Sequence, residues 1–516
     1  MDRVPPTSVG LGVGRRPMPP IQAGGRCFLP PGRSTGWDQS MYSQPKPSFV
    51  QMTPRGEYRL ADMYQAPPAY GAPPEGLEWD PEDERLALRW AEDGGPTKDP
   101  WVWSAEGGLS RLASASDFPP HPREDDDRSD KEREHAERMN PGVTAATWSK
   151  RGGSLYFLCR GDLYRIDGDG EHRTLIHGSG DVSGLTAIPG SDDVSFMWKG
   201  SLWRSRGDGL RRLTYVTKTD HDVVRHEWSR SGDRVAVVVQ DKSSWDRVKM
   251  PDYTPEDEVK INELRRNNVG GPLAKMRVAT VGAEGGLLET VPIEMAGDGP
   301  VDQGSGEQFV LHDLCWTSGG GLLIAYVGPW YRDFCLALYR PGDDDRPRVI
   351  HRETAEPWFP HSRIGVGADP EAAYLTSPRD GWLRLYRVPL DGSPLEAVSR
   401  PGCDVARFEV APEGESVVYT AFTPDPRDQS LIRVGPGGED EAVLIEGAGS
   451  CDFRASDDGS ALAAQVSAVM EPPKLLALSP AGERTEILRT ETDRFADVPK
   501  PRVDRFKMPF SFSKRP

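Results

Sequence analysis

From Trp79 to Leu488 the chain alternates short apolar runs with polar turns rich in Asp and Gly. Two half-motifs recur. The first is an aromatic or apolar residue, a polar turn, and an apolar strand. It reads WDPEDERLAL at Trp79, WSKRGGSLYF at Trp148, IPGSDDVSFM at Ile188 and WSRSGDRVAV at Trp228. It continues as WTSGGGLLIA at Trp316, VGADPEAAYL at Val366, VAPEGESVVY at Val410 and ASDDGSALAA at Ala455. The second half-motif follows each first one: a strand, a Gly-containing turn and another strand, as in LYRIDGDGEHRTL (163–175) and LLALSPAGERTEIL (475–488). Asp-Gly, Gly-Gly and Gly-Asp supply the positive φ angles that tight hairpins need. Each pair of half-motifs therefore encodes about four short antiparallel strands.

A lone four-stranded sheet leaves both faces uncovered, and stacking such sheets in a ring covers each with a neighbour. The pattern predicts an all-β fold, a β-propeller. Eight pairs predict eight four-stranded blades. A seven-bladed ring with a stray hairpin is the alternative, because the motifs at Ile188, Val366 and Ala455 diverge from the rest.

The ring is expected over 77–491. Residues 1–76 hold fourteen prolines and no sustained period, which predicts a mostly disordered, Pro/Gly-rich tail. Two insertions interrupt the repeat, at about 113–140 and at 241–273. The first contains HPREDDDRSDKEREHAERMN and predicts a solvated helix. In the second, VKINELRR suits a short helix or an edge strand, so the insertion is either a flap on the ring or an arm for a partner. Residues 492–516 read as a linker.

Composition narrows the function. There are 63 basic and 80 acidic residues, a net charge of −17, which disfavours nucleic acid and anionic membrane surfaces as partners. No run of 18 apolar residues predicts a membrane helix, and the N-terminus lacks the apolar core of a secretory signal. The six cysteines are irregularly spaced with no CxxC pair, so neither a disulfide framework nor a zinc site is expected. A cytoplasmic location is the expectation.

Candidate chemistry is sparse. GxSxG occurs once, as GRSTG around Ser34, but without the strand before it or the helix after it that a nucleophile elbow requires. The nine histidines form no HxH or HExxH pair. The densest polar stretch, DHDVVRHEW (220–228), reads as a loop leading into a blade. No GxxxxGK[ST] loop is present. No catalytic residue, cofactor or metal ligand is assigned.

Several phrases nevertheless resemble a known family. TSPRDGWLRLYRVPLDG (376–392) resembles the Ser-x-Arg-Asp-Gly-Trp-x-x-Leu-Tyr phrase in the N-terminal β-propeller of the prolyl oligopeptidase family, nearest its dipeptidyl peptidase IV-like branch. DKEREHAERMNPGVTAATWSKRGGSLYF (130–157) and SAVMEPPKLLALSPAGE follow the same family order. The resemblance implies a propeller that admits short peptides to an α/β-hydrolase domain carrying a Ser-Asp-His triad. That domain is expected to start near VDRFKMPFSFSKRP, and no triad member can be assigned before Pro516, so this chain is expected to be inactive alone. The expected partners are a peptide substrate or an α/β-hydrolase domain, with a homo-oligomer through the 241–273 arm.

The branch carries an acidic segment before the motif corresponding to Trp228, where paired carboxylates hold a substrate's amine. Here that interval offers Asp220, Asp222 and Glu227, without an adjacent Glu pair, so an oligopeptidase- or acylaminoacyl-type specificity is also open. From a different class, the alternative is a non-enzymatic TolB-like or WD-repeat-like interaction propeller.

Overall fold

The computed structural model describes residues 69–492 and 495, apart from 119–141, 217–219, 254–258, 267–273, 294–308, 414–415, 423–427 and isolated positions. The Pro-rich tail before Ala69, Ser34, the charged insertion beyond Phe118 and the linker apart from Thr492 and Phe495 fall outside the described residues, while the last residues assigned to the tail already belong to the ring, whose first strand starts at Glu75.

The described chain forms eight four-stranded antiparallel sheets and one two-stranded sheet. Seven blades, including those at 75–111, 143–176 and 450–489, take their four strands consecutively from the sequence. The eighth, at 221–290, has a hairpin of Asp246–Asp252 with Lys260–Arg266 inserted between its second and third strands. VKINELRR is thus strand rather than helix. All eight first half-motifs, including the divergent ones at Ile188, Val366 and Ala455, mark the turn between a first and a second strand.

The core lies between blades. Second and third strands read as continuous apolar runs, such as Leu322–Val327, buried throughout, because each is covered on both faces. One cluster joins Ala236 and Val278 of the fourth blade to Leu314, Trp316 and Ile324 of the fifth.

The motif tryptophan has a specific task. The indole N–H of Trp148 donates to the carbonyl of Glu78 in the preceding blade at 3.2 Å, and Trp316 does the same to Glu227 at 2.9 Å. Trp79, in the first blade, donates to Arg454 of the last at 3.1 Å. Trp228 turns instead to Ser195 Oγ at 2.8 Å. These links satisfy a buried donor and hold the first, second, fourth and fifth blades each to a neighbour.

The bond from Trp79 to Arg454 spans the seam where the ring closes. Among the described residues, no strand from one end of the ring completes the sheet at the other. Closure rests on that bond, on a shared cluster that includes Trp79, Leu86, Ala463 and Leu475, and on the two chain ends. Thr490 Oγ1 donates to the carbonyl of Tyr70 at 2.7 Å, and the amide of Thr492 donates to Ala69 at 3.0 Å. In a four-stranded antiparallel blade, the start of the first strand, the turn from second to third, and the end of the fourth share one side. Both ends of the described ring and the inserted arm therefore lie on the same face.

Candidate functional site

All eight blades contribute to one cavity of about 1140 Å³, lined by their first strands and the turns after them. This is the central channel. Its wall is charged because the first strands carry ionic side chains at alternate positions ahead of the motif residue: Arg225 and Glu227 before Trp228, Asp313 and Cys315 before Trp316, Arg407 and Glu409 before Val410. Period-two alternation turns these side chains to the channel.

Most of these charges are matched. Arg225 pairs with Asp313, whose other oxygen accepts the amide of Ile364 at 2.7 Å. Arg407 binds Asp452, and Glu409 at 2.5 Å. Arg454 is opposed by burial, but Glu409, Glu78 and Asp457 hold its guanidinium above the ordinary value. At the mouth formed by the motif turns, Lys150 of the second blade meets Asp457 of the eighth at 2.6 Å. Arg230 of the fourth blade reaches across the channel. It donates to the carbonyls of Val366 and Gly367 in the sixth blade at 3.0 and 2.8 Å, and to Pro412 of the seventh at 2.8 Å.

The three acids expected to gather around an amine are not brought together. Asp220 is bound bidentately by Arg265 of the arm, at 2.7 and 2.9 Å. Asp222 faces Lys242 at 3.3 Å. Both lie at the start of the strand His221–Trp228, and Glu227 lies near its end. Five residues of extended chain, roughly 16 Å, separate Asp222 from Glu227. Glu227 alone lines the channel. Burial raises its carboxyl to about 7, with Arg225 opposing and Asp313 reinforcing the shift. Beside it, burial and then the Glu227 charge push the Cys315 thiol well up.

Nothing among the described residues forms a nucleophilic triad. Ser195 Oγ lies 2.8 Å from His226 Nε2, but both are sealed between blades. The hydroxyl already accepts from Trp228, and burial lowers His226 to about 4. Ser377 contacts Glu353 at 2.7 and 2.8 Å, while His351 lies on the same carboxylate at 3.2 Å. The acid stands between serine and base, so no base reaches the hydroxyl. The five described cysteines are free, and no group of three metal-ligating side chains occurs among the described residues.

A second cavity, of about 460 Å³, lies at the root of the arm. It is lined by apolar groups such as Phe309 and Ile293 and by His221, Asp241 and Lys275.

The family profile described as "Dipeptidyl peptidase IV (DPP IV) N-terminal region" matches residues 221–473. That segment belongs to the dipeptidyl peptidase IV N-terminal region family. Solved structures share the fold of this N-terminal region. Porphyromonas gingivalis dipeptidyl peptidase 4 superposes with a TM-score of 0.63 at 14% identity, covering 83% of this chain and 61% of that one. A Bacteroides ovatus protein assigned as a dipeptidyl aminopeptidase IV superposes with a TM-score of 0.59 at 13% identity, with the same coverage. The chain thus spans about three fifths of the length of each. No curated protein matches its sequence.

The channel charges of this N-terminal region escaped sequence reasoning. The signal was present as RHEW, HDLCW and RFEV, a charged or polar residue one and three places ahead of the motif position. Reading the repeat from the aromatic residue onward passed over it.

Proposed function

We propose that this chain is the substrate-gating and binding propeller of a dipeptidyl peptidase IV-like serine peptidase, and acts on peptides only together with an α/β-hydrolase domain. The observation that carries this reading is the meeting of the two ends of the ring at residues 69–71 and 490–492. A domain joined there sits against the face from which the arm also leaves. The family match and the longer chains of the structural relatives support it. The arm serves as the contact for a second copy: Tyr253 and Ile261 on it are 74% and 54% exposed.

The test is hydrolysis of chromogenic X-Pro and X-Ala dipeptide substrates by the purified 516-residue chain, with a fluorophosphonate probe for reactive serine. The expected result is neither turnover nor labelling, with turnover appearing when a hydrolase domain is joined after Pro516. Stoichiometric labelling of the chain alone would overturn the reading, and the labelled serine would mark the missed nucleophile.

A further inference from the structure

The outer edge of the fourth blade is covered only in part. Its third strand, Lys275–Gly282, runs eight residues, while its fourth, Glu289–Thr290, runs two. In the fifth blade the corresponding strands have seven residues each and pair from Asp333 to Leu338. The cause is local. Pro292 has no N–H to give a ladder, and Ile293 donates back to the carbonyl of Val291 at 3.0 Å, a tight turn that carries the chain off the edge. The last bond to the third strand runs from the amide of Val291 to the carbonyl of Val278 at 2.9 Å. Antiparallel pairing turns every second residue of a strand to the same neighbour. Met276 therefore also points its N–H and C=O outward, and no described residue bonds them.

The cavity of about 460 Å³ lies at this bare edge and opens on both faces of the strand. Met276 and Val278 face the fifth blade, in one cluster with Val291, Ile293 and Phe309. Lys275 and Arg277 alternate with them and face the other way, and both are exposed. In register, Lys275 lies beside Asp241, but Arg277 lies beside Val239 and has no acidic partner among the described residues. Free backbone groups flanked by an apolar hollow on one face and an unmatched cation on the other suit an added strand. Main-chain bonds would hold it, and alternate side chains would select it. The cavity shares no lining residue with the channel.

We propose that this edge binds an extended peptide segment of a partner protein, laid antiparallel along Lys275–Arg277 as an outer strand of the blade. The segment's middle residue is apolar and enters the hollow beside Met276. The residue before it is acidic and pairs across the strands with Arg277. The site lies outside the channel and needs no catalytic domain.

Fluorescence anisotropy of a labelled peptide, fluorescein-Gly-Thr-Glu-Ile-Thr-Gly amide, with the purified 516-residue chain tests it. Saturable binding is expected below about 1 mM. Methylation of the isoleucine nitrogen removes the N–H that reaches the Met276 carbonyl, and should weaken binding about tenfold. Exchanging the peptide's Glu for Lys should also weaken it, and Arg277→Glu should reverse that preference so that the Lys peptide binds better. Arg277 is exposed, and an unchanged melting curve would confirm that the variant folds. No binding up to about 1 mM, an N-methylated peptide that binds as tightly, or an Arg277→Glu chain with unaltered preference would overturn the proposal. Because the titration reads no hydrolysis, its failure would leave the peptidase reading standing.

Discussion

Glu227 and the buried histidines pull stability in opposite directions along the pH scale. Glu227 rises from its ordinary 4.5 to about 7 in the folded chain. The fold holds its proton more tightly than the unfolded chain does, so its contribution is full below pH 4.5 and is lost as pH rises through 7. His226 and His312 are both lowered by burial from 6.5 to about 4. Their contribution is present above pH 6.5 and is lost as pH falls toward 4. Glu227→Gln mimics the protonated form. Scanning calorimetry should therefore show it melting a few degrees above wild type at pH 8 and level with it at pH 5, while wild type itself loses stability from pH 6.5 to 4. Glu227 was visible in the sequence as an acid but was grouped with Asp220 and Asp222 by proximity along the chain. Only the strand's length and alternation separate them: two acids are drawn to Arg265 and Lys242 near the arm, and one points into the channel.

At the level of elements, the turn chemistry was highly legible. Every blade begins its first turn where an aromatic or apolar residue precedes an Asp- or Gly-rich stretch, because that residue packs against a neighbouring blade while the turn stays wet. The seam was not legible, because its contacts join residues hundreds of positions apart. It makes two checks. Trp79→Phe keeps most of the packing but loses the bond to Arg454, and urea unfolding should show a loss of about 1–2 kcal/mol. Gly71 has φ +69°, and a Cβ there would fall 1.7 Å from the Thr490 carbonyl oxygen. Gly71→Ala should cost on the order of 2 kcal/mol by the same measure. The arm is a separate element with its own test. If it joins two copies, Ile261→Asp should shift sedimentation from dimer to monomer and leave the melting temperature of the ring nearly unchanged, since Ile261 packs on no core cluster.

The described blades form a ring of similar sheets around a charged channel, tied across one mouth by Arg230 and by the Lys150–Asp457 pair. Replacing Arg230 with alanine removes three bonds that join the fourth blade to the sixth and seventh. Cys315, the only described cysteine lining that channel, should then react faster with a bulky maleimide by roughly tenfold or more, while a small thiol reagent gains less. Equal rates for both reagents in wild type and variant would show that the mouth does not limit access.

The seam also bears on how the chain is ordered. Because every blade is a contiguous stretch and the two ends already meet through backbone hydrogen bonds, the first blade is first only by where the polypeptide happens to be cut. Joining residue 69 to residue 492 by a short linker and opening the chain at another turn between blades should give a circular permutant with the same ring. A break before the second, fourth or fifth blade would lie at a boundary still held by a tryptophan link, so this architecture can gain or lose an attachment point for another domain without being rebuilt.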